Sequence, residues 1–393
     1  MPARSPHVAL LIETSREYGR RLLRGVAHYL HKHDPWVILF RPAGLTDLAH
    51  TWLRDWKGDG LLIRADSPQL LNAVVRTGRP AVELRFAFHT PQLPVVGIDS
   101  QAVVELGFRH LWERGFRNFA FCGLPSGETL WADLRQQCFE QLAAAAGCSC
   151  YVFPARCQSQ RQAMSEGELT RLADWLATLK KPVGLMACND DRGQQVLEAC
   201  RLRGLLVPDE VAVLGVDNDV CLCNLSTPPL SSINIGAERI GYEAAALLDR
   251  LMAGGRAPAQ PTLLPPLGVV VRRSTDVVAS ENRELAELIR FVRDNACGGL
   301  RVNEALRRSN LSQSTLQRRF KALLGRTPKQ EILRVQLERA KQLLAETDLT
   351  VAEIAVKCGF GELKHLSGAF RARMGVAPLI YRRQLRLQGS CEE

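Results

Sequence analysis

The sequence predicts two α/β lobes around a cleft, followed by an all-α domain that contains two helix-turn-helix modules. Over residues 5–275, short apolar runs alternate with amphipathic helical segments, a pattern typical of parallel sheets covered by helices on both faces. Over the last hundred residues, a short helix, a tight turn and a longer helix recur at an offset of fifty residues. We therefore place the first domain at residues 1–276, a linker at 277–283 and the second domain at 284–393.

The positive charge of the chain is concentrated in its last third. From Glu281 onward there are 21 Lys and Arg against 13 Asp and Glu, whereas the preceding residues carry 30 against 28. A net positive charge on a helix-turn-helix region suits a surface that binds phosphates. The charge therefore favours double-stranded DNA as a partner, although a solvated basic surface would give the same count.

The sequence shows no targeting or metal-binding signal. Residues 1–6 lead directly into a first apolar run too short for the core of a secretory signal, and no run approaches the length of a membrane span. The twelve cysteines include no Cys-x-x-Cys pair, so we expect buried free thiols and neither a metal site nor a cofactor. These observations predict a cytoplasmic protein without a membrane partner.

The first domain has too many predicted strands for one compact sheet. Two doubly wound lobes fit better, and in such sheets ligands bind beyond the carboxyl ends of the strands. The predicted strands span residues 8–12, 36–40, 60–64, 81–84, 95–98, 118–122, 150–153, 183–188, 211–216, 230–233 and 268–272, and the predicted helices span 18–33, 101–114, 134–146, 168–179, 190–203 and 238–252.

Small polar residues cluster where predicted strands end. Thr14 and Ser15 follow the first strand, Asp99 follows the fifth, and Asn189 and Asp217 follow two later ones. Each of these alone is an ordinary loop or capping residue. Hydrogen-bonding side chains at four strand ends together indicate a ligand site.

The repeat in the last hundred residues aligns residues of the same type. The Leu-to-Phe step of four puts both apolar side chains on one face of the second helix of each module, and Ser312 is a suitable N-cap for the first such helix. Gly and Pro recur at the helix ends, which favours two modules joined by a connecting helix over a plain helical bundle. The matched pairs are Leu316 and Leu366, Phe320 and Phe370, Lys321 and Arg371, Gly325 and Gly375, and Pro328 and Pro378.

Residues 285–385 resemble the DNA-binding domain of the arabinose-regulator (AraC/XylS) family. This resemblance implies that each module places one helix in the major groove of DNA. It rests on Ser312-x-Ser-x-Leu-Gln-Arg-Arg-Phe-Lys, Gly325-x-Thr-Pro328, Ala340-x-x-Leu-Leu344, Val351-x-Glu-Ile-Ala355, Gly359-Phe360, Phe370-Arg371 and Pro378-x-x-Tyr-Arg382.

The same resemblance implies which side chains contact DNA in the first module. Ser314, Gln317 and Arg318 match base-contacting positions, where Gln suits adenine and Arg suits guanine. Arg319 and Lys321 are expected to hold phosphates.

In the second module, the matching DNA-binding positions offer fewer side-chain groups that could contact bases. Gly368 stands where Arg318 stands in the first module, so we expect the second module to read less sequence and to anchor the backbone. The DNA-binding residues predicted there are Leu363, Lys364, Ser367 and Arg371.

The first domain resembles the sugar-binding core of the lactose/galactose-repressor family, which is similar to periplasmic sugar-binding proteins. The run Pro208-Asp-Glu-Val-Ala-Val-Leu-Gly-Val-Asp217 carries most of this resemblance, together with Val96-Gly-Ile-Asp99 and Cys188-Asn-Asp190. It implies a small sugar ligand, and side-by-side pairing of these domains in a homodimer. The implied sugar-binding residues are Asp217, Asn189 and Arg135, with Asp190, Arg192 and Trp131 as further candidates and Thr14, Ser15 and Tyr18 from the first lobe.

The order of the two domains resembles the family of xylose-operon regulators. Trp131-Ala132 and Arg272-Arg-Ser-Thr-Asp276 add to this resemblance, whereas Glu13 and Gly19 depart from the polar pattern expected at the first strand end. The resemblance implies a pentose effector and activation of catabolic genes, with RNA polymerase as a further partner. A different sugar or a repressor of the same architecture remains an alternative.

An enzyme fused to a DNA-binding domain is a third hypothesis for this sequence. A nucleophile elbow would need Gly-x-Ser-x-Gly, but in Gly123-Leu-Pro-Ser-Gly127 the serine lies one residue late. No phosphate-binding Gly-rich loop with Lys is present, and adjacent Asp190 and Asp191 point apart on a helix. We therefore expect no catalytic residues.

Overall fold

The computed structural model describes residues 4–41, 51–65, 67–85, 93–127, 129–156, 166–276, 283–309, 311–347 and 349–387. Contacts divide the chain into two compact units, Met1–Leu111 with Arg117–Asp276, and Trp112–Phe116 with Val277–Glu393. We call them the α/β unit and the helical unit. The linker expected at 277–283 lies outside the described residues except for Arg283, where a helix begins.

The α/β unit alternates strands with helices along most of its length. Its elements in chain order are β1 (His7–Leu11), α1 (Glu17–Lys32), β2 (Val37–Arg41), β3 (Gly60–Ile63), α2 (Pro68–Arg76), β4 (Ala81–Glu83), β5 (Val96–Ile98), α3 (Ser100–Trp112), β6 (Asn118–Cys122), α4 (Leu130–Ala145), β7 (Ser149–Val152), α5 (Glu166–Thr178), β8 (Val183–Ala187), α6 (Asp190–Leu202), β9 (Val211–Val216), α7 (Val220–Leu225), β10 (Ser231–Asn234), α8 (Ala237–Met252), β11 (Thr262–Leu264) and β12 (Gly268–Val270).

Two main sheets define two lobes, as the strand pattern predicts. The first lobe holds a parallel sheet of order β2-β1-β3-β4, and a separate pair, β5 and β11, lies next to β4 through a bridge between Glu83 and Val95. The second lobe holds a sheet of order β12-β10-β9-β8-β6-β7, in which only β12 is antiparallel to its neighbour. The chain passes between the lobes after β5, after β10 and after β11. The prediction of two doubly wound lobes is therefore confirmed.

Two glycines let helices α1 and α8 pack backbone against backbone. A Cβ atom on Gly25 would lie 1.9 Å from the carbonyl oxygen of Glu238, and a Cβ atom on Gly241 would lie 2.0 Å from that of Leu22. No side chain fits at such distances, so any substitution at these glycines would push the two helices apart. The close contact fixes α1, and with it the residues that precede it at the end of β1.

The helical unit contains both predicted helix-turn-helix modules. Helices α10 and α11 form the first module, α13 and α14 form the second, and the long helix α12 connects them. The elements of this unit are α9 (Arg283–Asn295), α10 (Val302–Arg308), α11 (Gln313–Leu324), α12 (Pro328–Glu346), α13 (Val351–Lys357), α14 (Leu363–Met374) and α15 (Pro378–Leu387).

The repeated residues take equivalent places in both modules. Leu316 and Phe320 of α11 are fully buried, as are their counterparts Leu366 and Phe370 of α14. Ser312 caps α11 by accepting a hydrogen bond from the amide of Thr315. Gly325 and Gly375 both end their helices at positive φ, a left-handed conformation that favours glycine.

The turn of the second module requires glycine. Gly359 has a φ of +77°, and a Cβ atom there would lie 2.9 Å from the carbonyl oxygens of Ala296 and Cys297. The side-chain amide of Gln336 on α12 donates to the carbonyl oxygens of Ala296 and Gly359. This turn is therefore packed against the residues that follow α9, and one buried glutamine of α12 joins that segment to the second module.

A buried carboxylate forms the electrostatic centre of the helical unit. Glu331 on α12 is inaccessible to solvent and receives hydrogen bonds from Arg293 at 2.7 Å, Arg326 at 2.6 Å and Arg334 at 2.8 Å. Burial raises the pKa of Glu331, but the hydrogen bond from Arg334 and the charges of the three arginines outweigh burial and hold the pKa well below its usual range. The carboxylate therefore stays ionised.

Three elements of the α/β unit were absent from the sequence prediction. Helix α2 carries recognisable signals, since Ser67 caps it and Pro68 occupies its first turn. Strand β11 is three residues long and is stabilised by pairing with β5, which lies far away in sequence. Helix α7 has only six residues, too few for a helical period to show.

Candidate functional site

A small cavity lies where the strand ends of the two lobes meet. Its volume is about 40 Å³, enough for more than one water molecule. The lining residues follow, or directly join, the carboxyl ends of strands in both sheets, which is the expected position for a ligand site in parallel sheets. They are Arg16, Tyr18, Arg64, Arg85, Ile98, Trp131, Arg135, Asn189, Asp217 and Ile235.

Two predicted residues reach the cavity from adjacent strands of the second lobe. Asp217 follows β9 with a φ of +110°, and Asn189 lies between β8 and α6. The amide oxygen of Asn189 accepts from the backbone N–H of Arg192 at 2.9 Å, so Asn189 also caps α6. Burial raises the pKa of Asp217 to about 6, against the opposing charge of Arg135.

Arg135 and Trp131 reach the cavity from helix α4. Arg135 is 3% exposed, and one of its terminal nitrogens donates to the carbonyl oxygen of Cys188 at 2.6 Å. Its guanidinium lies 4.8 Å from the centre of the Trp131 ring, within the range of a cation–π contact. The bond to Cys188 fixes Arg135 next to the end of β8.

Tyr18 forms the wall on the side of the first lobe. Its hydroxyl donates to the carbonyl oxygen of Leu84 at 2.9 Å, and burial raises its pKa, so the hydroxyl stays protonated. The guanidinium of Arg64 lies 5.2 Å from the centre of the Tyr18 ring. Arg64 is itself paired with buried Glu13 at 3.1 Å.

Four predicted ligand residues lie outside the lining of this cavity. The carbonyl oxygens of Thr14 and Ser15 accept from Arg20, which orders the turn into α1. Asp190 is buried and accepts from the Ser232 hydroxyl at 2.5 Å and from the amide of Asp219 at 2.7 Å. Burial and the neighbouring Asp217 raise the pKa of Asp190.

Arg192, the fourth of these residues, lines a different and larger cavity. That cavity has a volume of about 430 Å³ and lies between α5, α6 and the residues that follow α7. Arg192 donates to the carbonyl oxygen of Gly123 at 3.0 Å and to the side chain of Gln195 at 2.7 Å. We take the smaller cavity as the candidate site because it lies at the strand ends of both lobes.

Three arginines of the first lobe line the small cavity and were not predicted from the sequence. Arg64 directly follows β3, and Arg85 lies two residues after the end of β4. Arg16 forms an ion pair with Asp191 of the second lobe at 3.0 Å. A basic residue at the end of a buried apolar run is a sequence signal that could have indicated Arg64 and Arg85 as site residues. Sequence reasoning counted Arg64 as part of the strand and Arg85 as a loop residue.

The first module of the helical unit presents a polar face to solvent. Ser314, Gln317, Arg318 and Lys321 are exposed on α11, and Arg319 is half-buried. Apart from the contact of Ser314 with Ser312, these side chains have no hydrogen-bond partner among the described residues. An unpaired row of this kind on the second helix of such a module is available for DNA.

The second module presents a plainer face. Leu363 on α14 is 48% exposed, and Lys364 pairs with exposed Glu362 at 2.9 Å. Ser367 is half-buried and Arg371 is exposed. This face offers one apolar contact and two positive charges.

The described part of the chain lacks the features of a metal site and of a membrane span. There, no three His, Cys, Asp or Glu side chains come together as a metal site would require. Within the same residues, every helix is too short or too polar to cross a membrane.

Family models match both parts of the chain. Residues 108–275 match a periplasmic binding protein-like domain, and residues 306–384 match a helix-turn-helix domain. The xylose operon regulatory protein of Escherichia coli K12 is 32% identical over 381 residues, which cover 95% of this chain and 96% of that protein. The chain belongs to the family of the xylose operon regulatory proteins.

Other members of the xylose operon regulatory protein family agree with this assignment. The protein from Haemophilus influenzae is 29% identical over 95% of this chain and 97% of its own length. A solved structure of a xylose-binding transcription activator is 32% identical, has a TM-score of 0.63, and covers 98% of this chain and 99% of that one. The predicted architecture of an α/β domain followed by a double helix-turn-helix is confirmed. The chain is a DNA-binding transcription regulator and not an enzyme.

Proposed function

We propose that a small sugar binds in the cavity of the α/β unit and controls DNA binding by the helical unit. The observation that carries this proposal is the convergence of Asp217, Asn189, Arg135 and Trp131 at the carboxyl edges of strands. Carboxylate, amide and guanidinium groups bond the hydroxyls of a sugar, and an aromatic ring packs against its apolar face. Calorimetric titration of the full chain with pentoses and hexoses tests this proposal. Failure of every sugar to bind would contradict the proposal.

A sugar would enter where the two lobes meet, so the contacts that join the lobes beside the cavity must open for binding. The ion pair of Arg16 with Asp191 joins the lobes beside the cavity, and its partners are 23% and 40% exposed. An exposed pair of this kind contributes little, about 0–1 kcal/mol, and opens easily. Movement of the lobes is therefore the two-state element that a sugar would bias.

A pentose is the effector class that the family favours, since the named relatives regulate a xylose operon. We propose activation of catabolic genes through contact with RNA polymerase, as the activator name of the related solved structure suggests. A repressor or a sensor of a different sugar would have the same architecture. The sugar-binding domain is assigned to residues 1–276, the linker to 277–283 and the DNA-binding domain to 284–393, in a cytoplasmic protein.

The proposed DNA contacts are unequal between the modules. Ser314, Gln317 and Arg318 would read base edges, and Arg319 and Lys321 would hold phosphates. The corresponding contacts of the second module would come from Leu363, Lys364, Ser367 and Arg371.

Replacing Arg318 with Ala should weaken binding to the preferred DNA sequence by roughly 1–3 kcal/mol and relax one base position. The reason is the loss of a bidentate contact to guanine, which an exposed and unpaired guanidinium is suited to make. Selection of bound sequences from a random pool measures both effects.

The matched comparison is Gln317→Ala against Ser367→Ala, because these residues occupy equivalent positions in the two modules. We expect Gln317→Ala to change the selected sequence and Ser367→Ala to leave it nearly unchanged. Equal loss of affinity on all sequences in the Arg318 variant would exclude base reading by that residue.

The chain should form a homodimer through the α/β unit. Strand β2 lies at the edge of its sheet, and its side chains Val37, Ile38 and Phe40 are 38–52% exposed. An exposed apolar edge is suited to pairing with a second copy. Sedimentation at tens of micromolar should give twice the mass of one chain. The Phe40→Asp variant should sediment with a lower mass, because a charge in the apolar edge opposes pairing.

The control for the dimer is Leu206→Asp, since Leu206 is 61% exposed and lies elsewhere in the α/β unit. This variant should sediment as the wild type does. A wild-type chain that sediments as a monomer would contradict the proposed dimer.

A further inference from the structure

Helix α3 runs from the edge of the small cavity into a segment that belongs to the helical unit. It begins at Ser100, two residues after Ile98, which ends β5 and lines the cavity. It ends at Trp112, and by their contacts residues Trp112–Phe116 are part of the helical unit. At 1.5 Å per residue, its 13 residues form a helix about 20 Å long. A shift of this helix would therefore reach the helical unit without passing through a flexible linker.

Close packing holds α3 on the sheet of the second lobe. A Cβ atom on Gly107 of α3 would lie 2.8 Å from the sulfur of Met186 on β8 and 3.2 Å from a side-chain carbon of Ile233 on β10. In the last turn of α3, the imidazole of His110 shares a hydrogen bond of 3.0 Å with the hydroxyl of Thr275. Packed elements move as rigid bodies because interiors resist compression, so α3 follows any movement of the second lobe.

The residue after α3 is held by an arginine of the helical unit. One terminal nitrogen of Arg326 donates to the main-chain carbonyl oxygen of Glu113, and the other lies 3.8 Å from the Glu113 carboxylate. Arginine side chains stabilise helix C-termini in this way, because the last carbonyl groups of a helix have no partner within it. The side chains of Arg326 and Glu113 are 14% and 25% exposed, so the contact is partly shielded from solvent.

Arg326 lies directly beyond the second helix of the first module. Helix α11 ends at Leu324, and Arg326 follows two residues later in the turn before α12. Its Nε donates at 2.6 Å to the buried carboxylate of Glu331, which also pairs with one arginine of α9 and one of α12. One side chain therefore joins Glu113 to the end of α11 and to the buried cluster that holds the module together.

We infer that the contact between Glu113 and Arg326 transmits the effector signal from the α/β unit to the first helix-turn-helix module. A sugar that biases the position of the second lobe moves α3, and Arg326 passes the displacement of Glu113 to α11. Both are positioning residues, because neither lines the cavity nor belongs to the exposed row on α11. This inference rests on the proposed function and names the route by which its site controls DNA binding.

The test is the Glu113→Lys variant of the full chain, which places a positive charge against Arg326. The dissociation constant for DNA selected in vitro is measured without sugar and with saturating D-xylose, L-arabinose, D-ribose or D-glucose. We expect the tightest-binding sugar to change the DNA affinity of the wild-type chain by about 5–150-fold, and that of the variant by less than about twofold. Calorimetry without DNA should give both chains nearly the same sugar affinity, because the cavity is intact.

Glu105→Lys is the matched control for Glu113→Lys. Glu105 is exposed on the same helix, and the substitution changes the charge by the same amount, so this variant should keep the wild-type response. Glu113→Gln removes the charge without adding repulsion and serves if Glu113→Lys does not fold. It should weaken the response by about two- to fivefold, the effect of losing one partly exposed ion pair.

Amide hydrogen exchange of the wild-type chain tests the route without any variant. Addition of the tightest-binding sugar, in the absence of DNA, should change the protection of peptides that cover residues 108–116 and 322–328. Changed protection in the α/β unit with none in residues 322–328 would count against the route.

The outcomes separate this inference from the proposed function. A Glu113→Lys chain whose DNA affinity responds to the sugar within a factor of about two of the wild type would overturn the route and leave a sugar-responsive regulator. Loss of the response in Glu105→Lys as well would also overturn it, because the effect would then not depend on the contact with Arg326. A wild-type chain whose DNA affinity no sugar in the panel alters would overturn both.

Discussion

Replacing Glu331 with Gln should lower the free energy of unfolding of the helical unit by about 3–5 kcal/mol, the usual cost of breaking a buried ion pair. The carboxylate is fully buried and forms ion pairs with Arg293, Arg326 and Arg334, whose side chains are only 10–16% exposed. Glutamine keeps the shape but leaves three positive charges together. Amide hydrogen exchange of α11 and α12, measured by mass spectrometry at increasing denaturant, reports this unit within the full chain.

The pH dependence follows from the lowered pKa of Glu331. A carboxyl whose pKa is lower in the folded state stabilises the fold above its unfolded pKa, about 4.3 for Glu. That stability is lost as the pH falls below this value toward the folded pKa. The wild-type unit should therefore lose stability in acid, whereas the Gln variant should lose less.

Glu338→Gln is the matched control for Glu331→Gln, because Glu338 lies on the same helix and is 51% exposed in its pair with Lys341. Surface pairs contribute about 0–1 kcal/mol, so this variant should unfold nearly as the wild type does. Equal effects of the two substitutions would show that the buried cluster is not the centre of stability of the helical unit.

Asp217→Asn should abolish the effector response and, in the absence of effector, stabilise the α/β unit at pH 7–8. Loss of a charged hydrogen-bond partner costs about 1.5–3 kcal/mol of binding, roughly tenfold to a hundredfold in affinity. Asparagine tolerates positive φ better than alanine does, so it suits the φ of +110° at this position.

The raised pKa of Asp217 determines the direction of the stability change in the Asn variant. Burial raises the pKa of Asp217 to about 6, above its value in an unfolded chain. The contribution of Asp217 to stability is therefore most favourable below pH of about 4 and is lost as the pH rises through about 6. The Asn variant should gain about 1–2 kcal/mol over the wild type at neutral pH, and this gain should vanish toward pH 4.

Thermal unfolding at several pH values and calorimetric titration with the effector measure the two consequences. Asp174→Asn serves as the control, since the Asp174 side chain is 56% exposed and pairs with Arg203 on the surface of the same unit. Retention of effector affinity within a factor of two in the Asp217 variant would remove Asp217 from the site.

The sequence predicts elements best where the local pattern and the final environment agree. The apolar run of β9 is buried along its whole length, and its predicted bounds match the structure. The two modules were predicted because each repeats the same buried Leu and Phe and the same terminal Gly. Strand β11 was missed because its three residues are stabilised by a partner strand rather than by their own pattern.

The residues of the candidate site were only partly predictable, because several of them reach the cavity through tertiary packing. Asn189 and Asp217 follow long apolar strands, and this position alone brings them to the cavity. Arg135 and Arg192 are both buried arginines near these strands, yet they line different cavities, because the direction of each side chain depends on tertiary packing. Arg85 reaches the site only because β4 lies beside β3, an order of strands that no local pattern encodes.

The central claim is that one effector, bound in the α/β unit, changes the affinity of the helical unit for DNA. The most direct measurement is the dissociation constant of the full chain for a DNA fragment selected in vitro, with and without a saturating concentration of the sugar that binds most tightly. We expect a change of about 5–150-fold, and an equal change in effector affinity when the DNA is present, because coupling between two sites is reciprocal. An effector that binds the wild-type chain but leaves the DNA affinity the same would contradict the account.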